Sequence, residues 1–349
     1  MPNALDLRLP GGRSIAETVL APLGGATLSV VDVGARNGMF RLPASYARHA
    51  ELIGFEPNKE EHAKLVGRRT DAILGGVAMP RFRKESFFDC ALWDREEERP
   101  FYITAGVGAA TMMGQADPRI ARRMYRGRIN KDGGQSMYDR HFAVRQTVPV
   151  ACRRLDALLA PDHIVDFLKI DVEGGELRVL RGAEALLARH RILFILSEFN
   201  LAPFYAEHPS LGDQQIHLAE RGFRLLDFDA HGRRYSRDPT AIPEENDRRP
   251  IYGGDAYFTL DPDRIQLAAT ELQRLAAVHL ALSFHSFAVS LLRDAALLPP
   301  REIGAIETAL RRVPLARRLT ETWKNLPANA YRRVGGLGLA LRRLAGAGR

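Results

Sequence analysis

The chain has 349 residues, 46% hydrophobic and 26% charged, with 30 Gly, 20 Pro and only 2 Cys, the composition of a globular protein long enough to bury a full core in one large or two smaller domains. Cys90 and Cys152 have no CxxC or CxH spacing, which argues against a disulfide framework or a cysteine-built zinc site; the N-terminus MPNALDLRLPGGRS has no basic stretch leading into an apolar run, so a reducing, cytoplasmic location is expected. Of the net charge of +8, most lies in residues 261–349, with 14 Lys+Arg against 7 Asp+Glu, away from the candidate chemistry below, so nucleic acid is not an expected partner.

In chain order, LSVVDV at 28–33 is an apolar, β-branched run ending at Gly34, which reads as a buried parallel strand feeding a turn. ELIGFE at 51–56 repeats the pattern ahead of a polar helix near 59–69. FFDCAL at 87–92 and FYIT at 101–104 read as a hairpin across the charged turn DREEER. Residues 105–143, rich in Gly, Arg and Met, form a long loop with at most a short helix, and long loops in compact domains are commonly functional. VPVAC at 148–152, a helix near 154–160, IVDFLKID at 164–171, a helix presenting Leu177, Leu180 and Leu187 on one face, and ILFILSEF at 192–199 follow. A helix near 213–221, then FRLLDFD at 223–229 and AYFTL at 256–260, close the series. Strands alternating with helices predict a doubly wound, mostly parallel, Rossmann-like α/β sheet over 1–260, with its ligand outside the carboxyl ends of the strands. From 261 to 349 the chain reads as a basic helical extension, interrupted at Pro299-Pro300 and Pro327.

The residues that can carry chemistry sit where such strands end. Asp32, Gly34, Asn37 and Gly38 form a DVGARNG turn whose glycines let the backbone approach a ligand closely, or simply turn tightly. Glu56 ends the next strand, where a carboxylate can accept both hydroxyls of a ribose; the alternative is a cap for the helix after Pro57. In KIDVEGGE an apolar strand runs directly into carboxylates. Glu176 suits a first-turn position favoured by the helix dipole, whereas Asp171 and Glu173 can face the crevice to accept a proton or hold a cation, and Glu198 can reach the same crevice from its neighbouring strand. His141 and His208 are loop candidates for a base, while His279 and His285 read as packing or interface residues.

These stretches together resemble the FkbM-type S-adenosylmethionine-dependent methyltransferases. The resemblance rests on VVDVGARNG at 30–38, FEPN at 55–58, CALWD at 90–94, RRLDALL at 153–159 and DFLKIDVEGGELRVLRGAEALL at 166–187. It implies O-methylation of a hydroxyl on a sugar, glycan or natural-product acceptor, with S-adenosylmethionine as donor. By position, Asp32, Gly34, Asn37 and Gly38 would line the methionine side of the donor, Glu56 its ribose, and Cys90 and Ala91 its adenine. Asp171, Glu173 and Glu198, in that order, would orient or deprotonate the acceptor, alone or through a divalent metal. Residues 105–143 would build the acceptor loop or lid, with Met112, Met113, Met124, Tyr125, Met137 and Tyr138 among interleaved arginines.

The tail is open to several readings. Residues 275–292 carry no Asp, Glu, Lys or Arg, yet their histidines and serines argue against membrane insertion. Leu275, Val278, Leu282, Val289 and Leu292 are spaced to pack on the domain or on another subunit. The arginine pairs beyond suit peripheral contact with anionic lipid or plain solvation. The competing overall reading is a non-catalytic nucleotide-binding domain whose tail mediates assembly or membrane contact. A nucleic-acid methyltransferase fits less well, since no Asn/Asp-Pro-Pro-Tyr motif is present.

Overall fold

The computed structural model describes residues 4–124, 141–207, 209–230 and 251–311. The strands in chain order are β1 (Leu28–Val33), β2 (Ala50–Phe55), β3 (Lys84–Phe88), β4 (Ala91–Leu92), β5 (Glu97–Thr104), β6 (Val144–Arg153), β7 (Phe167–Ile170), β8 (Phe194–Asn200), β9 (Phe223–Ala230) and β10 (Gly253–Leu260). Seven of them form one sheet in the order β3-β2-β1-β7-β8-β10-β9. Pairings are parallel up to β8, and β10 runs antiparallel to both of its neighbours. The doubly wound α/β architecture expected from the alternating pattern is therefore present. β1 and β8 are buried at every position, as strands covered on both faces must be. The order reverses between β1 and β7, so their carboxyl ends diverge from the loops above them and leave a crevice.

The expected hairpin between 87–92 and 101–104 does not form. The first stretch splits between β3, beside β2 in the large sheet, and β4, which leaves it; β4 and β5 instead flank β6 in a separate three-stranded sheet. β6 offers β5 an antiparallel partner from Cys152 to Val144, interrupted by one register shift at Ile103/Thr104, a longer ladder than the two residues of β4 can supply. The helical face of Leu177, Leu180 and Leu187 is buried, but spans two helices, Glu176–Gly182 and Glu184–Ala188. The described parts of the long loop hold a 3-10 turn at Val107–Ala109 and a helix at Pro118–Met124.

The sheet does end at Leu260, yet the core continues past it. Helices Ala269–Ala281, His285–Asp294 and Pro300–Arg311 bury Leu275, Val278, Val289, Leu292, Ile303 and Ile306 in the same hydrophobic cluster as Phe194, Phe258 and Leu260. His279, fully buried, meets the Phe194 ring edge-on at 5.2 Å and stacks on Phe287 at 4.6 Å, a packing role. Gln273 donates to the Val19 carbonyl at 2.5 Å, and Arg274 pairs with the buried Asp166 at 2.8 Å. The boundary at 260/261 thus marks the end of the sheet, and the helices within 269–311 pack into the sheet's own hydrophobic cluster. The uncharged run 275–292 is broken near Ser283, whose φ of +71° ends one helix before the next begins. No helix among the described residues is long and apolar enough to cross a membrane. The arginine pairs at 317–318, 332–333 and 342–343 lie outside the described residues.

Candidate active site

The carboxyl ends of β1, β2, β7 and β8 open onto a cavity of about 220 Å³. From the first strand, Gly34 and Asn37 line it. The amides of Gly34 and Ala35 both donate to the Phe55 carbonyl at 3.0 Å, which pulls the turn across the end of β2. Asn37 adopts φ +71° and accepts from the Ala72 amide at 3.3 Å through Oδ1, so its side chain also braces the turn. Asp32 and Gly38 do not line the cavity. Asp32 is 1% exposed and lies 3.1 Å from Lys169 Nζ, while Gly38, at φ +84°, packs where a Cβ would come within 2.3 Å of Met79 Sδ.

Glu56 is 5% exposed and lines the cavity with Cys90 and Ala91. The cap of helix Lys59–Val66 is Asn58, whose Oδ1 accepts from the Glu60 and Glu61 amides. Glu56 is thereby left to the cavity, its carboxylate accepting from the Asn58 amide at 2.8 Å. Burial pushes its pKa up to about 7, against the opposing pull of that amide. Glu61 and Arg36 also line the cavity and pair at 2.9 Å. Glu61 is 2% exposed and lies 2.6 Å from Lys64; that i,i+3 spacing looks like an ordinary surface pair, so nothing in the sequence distinguishes it.

Asp171, Glu173 and Glu198 converge on the same cavity, with carboxylate oxygens within 4.8 Å of one another. The register of β7 on β8 pairs Ile170 with Ser197, so the next residues, Asp171 and Glu198, stand side by side. Gln214 donates to the Glu198 carbonyl at 3.0 Å and fixes that strand end. Glu173 takes φ +57°, and the turn is held by Thr111 Oγ1, which donates to its carbonyl at 2.9 Å. Burial first, then repulsion from the neighbouring carboxylates, pushes Glu173 and Glu198 well above the usual carboxylate range. Asp171, with its side chain 40% exposed, lies 3.4 Å from Lys169 Nζ, and Lys169 is in turn shared with Asp32. Glu176 closes the turn by accepting from the Val172 and Gly174 amides, as a first-turn carboxylate should.

Of the expected acceptor loop, Met112 lines the cavity and Met113 packs against the cluster that holds Ala91, Trp93 and Phe101. The Met124 side chain, Tyr125, Met137 and Tyr138 lie outside what is described, as does His208, and His141 is exposed and away from the cavity lining.

Residues 32–225, more than half of the chain, match the methyltransferase FkbM domain. The chain belongs to the FkbM methyltransferase family. As a family member it is an S-adenosylmethionine-dependent methyltransferase. Solved structures with similarity to it include a magnesium protoporphyrin IX methyltransferase from Synechocystis PCC 6803 with bound S-adenosylmethionine, at 10% identity and TM-score 0.30, covering 70% of this chain and 76% of that one. A putative tRNA (m1A22) methyltransferase from Streptococcus pneumoniae matches at 12% identity and TM-score 0.29, covering 84% and 97%. A third is the StiE O-methyltransferase fragment, at 9% identity and TM-score 0.30, covering 76% and 77%. No curated protein sequence matches the chain.

Proposed function

We propose that this FkbM-family protein is an O-methyltransferase acting on a hydroxyl of a sugar, glycan or natural-product acceptor. The observation that carries the reading is the convergence of Asp171, Glu173 and Glu198 at the end of the donor cavity. Etherification of a hydroxyl requires a proton acceptor beside the oxygen, and crowded carboxylates of raised proton affinity suit that task better than solvated ones.

The cavity residues fit the donor. Glu56 offers a buried carboxylate to the paired hydroxyls of a ribose, Cys90 and Ala91 offer an apolar wall for an adenine, and Gly34 and Asn37 flank the methionine end. The excess of carboxylates over Lys169 and Arg36 suits a cationic donor. When bound, S-adenosylmethionine supplies a methyl group already electrophilic on its sulfonium. The protein's part is then to orient the acceptor, exclude water and remove one proton. Asp171, anchored by Lys169 at the partly exposed mouth, orients the acceptor hydroxyl by accepting its hydrogen bond. Glu173 and Glu198, deeper and mutually repelling, share the proton that the hydroxyl loses.

The mutual approach of the three carboxylates favours a second role for them, as ligands of a divalent ion that would lower the hydroxyl pKa. Incubation with methyl-labelled donor and a metabolite extract fractionated by polarity tests the reading. The expected result is label on a hydroxyl-bearing acceptor in an alkali-stable ether. Donor binding without any transfer would favour a non-catalytic nucleotide-binding domain, and label on nitrogen would overturn O-methylation.

A further inference from the structure

The donor cavity is lined by several carboxyl groups and one permanent cation. Among the described residues that line it, Arg36 is the only Lys, Arg or His, facing Glu56, Glu61, Asp171, Glu173 and Glu198. Lys169, which pairs with Asp171, is outside the lining. Arg36 stands in the turn after β1, between Gly34 and Asn37, and its side chain is 25% exposed. A guanidinium carries five N–H donors in a planar fork. The Arg36 Nε lies 2.9 Å from Glu61, and Nη2 donates to Asp71 at 3.0 Å. Neither partner uses up the guanidinium: Glu61 also binds Lys64 at 2.6 Å, and Asp71, with its side chain 57% exposed, is screened by water. Nη1 reaches towards the acceptor loop, 3.3 Å from where a Cβ on Gly108 would stand, and Gly108 itself lines the cavity. The Arg36 charge opposes the raised proton affinity of both Glu56 and Glu173, so it is felt at the ribose end and at the carboxylate cluster alike.

We propose that Arg36 binds the α-carboxylate of the methionine part of S-adenosylmethionine, through Nη1. The inference rests on the reading that this cavity holds the donor with its ribose at Glu56. The donor carries an ammonium, a sulfonium and one carboxylate. A carboxylate only accepts hydrogen bonds, and the carboxyl side chains of the lining answer it with a like charge or, when protonated, a single O–H. Left without a cation it would lose its hydration uncompensated, whereas the N–H groups of a guanidinium make hydrogen bonds of the stronger, charge-assisted kind. The methionine part joins the ribose to the reacting methyl group, so its carboxylate belongs in the region between Glu56 and Glu173 on which Arg36 acts. A side chain at position 108 would crowd Nη1, and the glycine leaves that approach open.

The test titrates the full-length protein calorimetrically with S-adenosylhomocysteine and with decarboxylated S-adenosylhomocysteine, which lacks the carboxylate alone. The wild type is expected to bind S-adenosylhomocysteine roughly 10- to 100-fold more tightly than the decarboxylated ligand, the worth of charge-assisted hydrogen bonds. Arg36→Gln is expected to remove that difference, weakening S-adenosylhomocysteine by the same factor and leaving the decarboxylated ligand unchanged. Should the loss of charge beside buried Glu61 stop Arg36→Gln from folding, Arg36→Lys keeps the charge but loses the fork, and should still narrow the difference. A wild type that binds both ligands alike, or a folded variant that keeps the full difference, would overturn the inference. So would equal weakening of both ligands, the mark of a strut that only braces the turn. Glu56→Gln tests the underlying reading separately, because both ligands carry the ribose and should weaken equally. If that variant weakens neither ligand, the ribose assignment fails while a carboxylate-specific effect at Arg36 still stands; a wild type that binds neither ligand overturns both.

Discussion

The carbonyl oxygen of Asp171 occupies the space that a side chain at Gly34 would need: a Cβ on residue 34 would stand 1.8 Å from it. The turn after β1 and the end of β7 therefore touch backbone to backbone, and no repacking of side chains can relieve the clash. Gly34 also holds φ +75°, a region that costs an L-residue roughly 1–2 kcal/mol. Gly34→Ala should consequently displace Asp171 and lower both melting temperature and donor affinity. A variant with wild-type values of both would mean that the two strand ends are not packed this way.

Glu56 combines a stability cost with the ribose-binding role proposed for it. Its pKa is raised from 4.5 to about 7, chiefly by burial. Below about pH 4.5 the carboxyl is protonated in folded and unfolded chains alike; between about 4.5 and about 7 only the folded chain keeps the proton. The donor-free protein thus loses stability as pH rises through that window, by up to about 3 kcal/mol, and the loss is complete above it. Glu56→Gln should raise the melting temperature at pH 8 and leave it unchanged at pH 4. The same variant should bind S-adenosylmethionine and S-adenosylhomocysteine more weakly, by roughly 1.5–3 kcal/mol. Unaltered calorimetric affinity for both would remove the ribose assignment.

Asp171→Asn preserves size and should preserve donor binding, while turnover falls about 10²- to 10⁴-fold. If the cluster holds a divalent ion, chelation of the wild-type enzyme should reproduce the loss and added ion restore it. A variant that melts lower yet turns over normally per folded molecule would reduce Asp171 to a structural residue.

Arg274 ties helix Ala269–Ala281 to the sheet through Asp166, which is fully buried and also accepts from the Ser29 amide at 2.6 Å. Burial raises the Asp166 pKa to about 6 even with the guanidinium present. Arg274→Ala would strand that carboxylate and should cost about 3–5 kcal/mol in chemical denaturation. Truncation after Leu260 should abolish folding, whereas truncation after Arg311 keeps every core contact described above and should retain donor binding. Donor binding by the shorter fragment would make the tail a separate unit after all.

Strands β1, β2 and β7 were legible because each is a short apolar run ended by a glycine or a carboxylate. The alternation of strands with helices follows from that local pattern, whereas the antiparallel direction of β10 does not. Gly34, Glu56 and Asp171 were legible for the same reason: ligand crevices form at strand ends, and residues ill-suited to a core stand out there. Tertiary structure alone decided what depends on pairing between distant segments. β5 could not be seen to prefer β6 over β4, because ladder length is a property of two strands some forty residues apart. The apolar faces of 269–311 left open whether they would cover this sheet or a second copy, since burial of apolar area is non-directional. The meeting of Arg41 with Asp255, like that of Asp171 with Glu198, depends on strand order and register, which bring side chains from separate segments together.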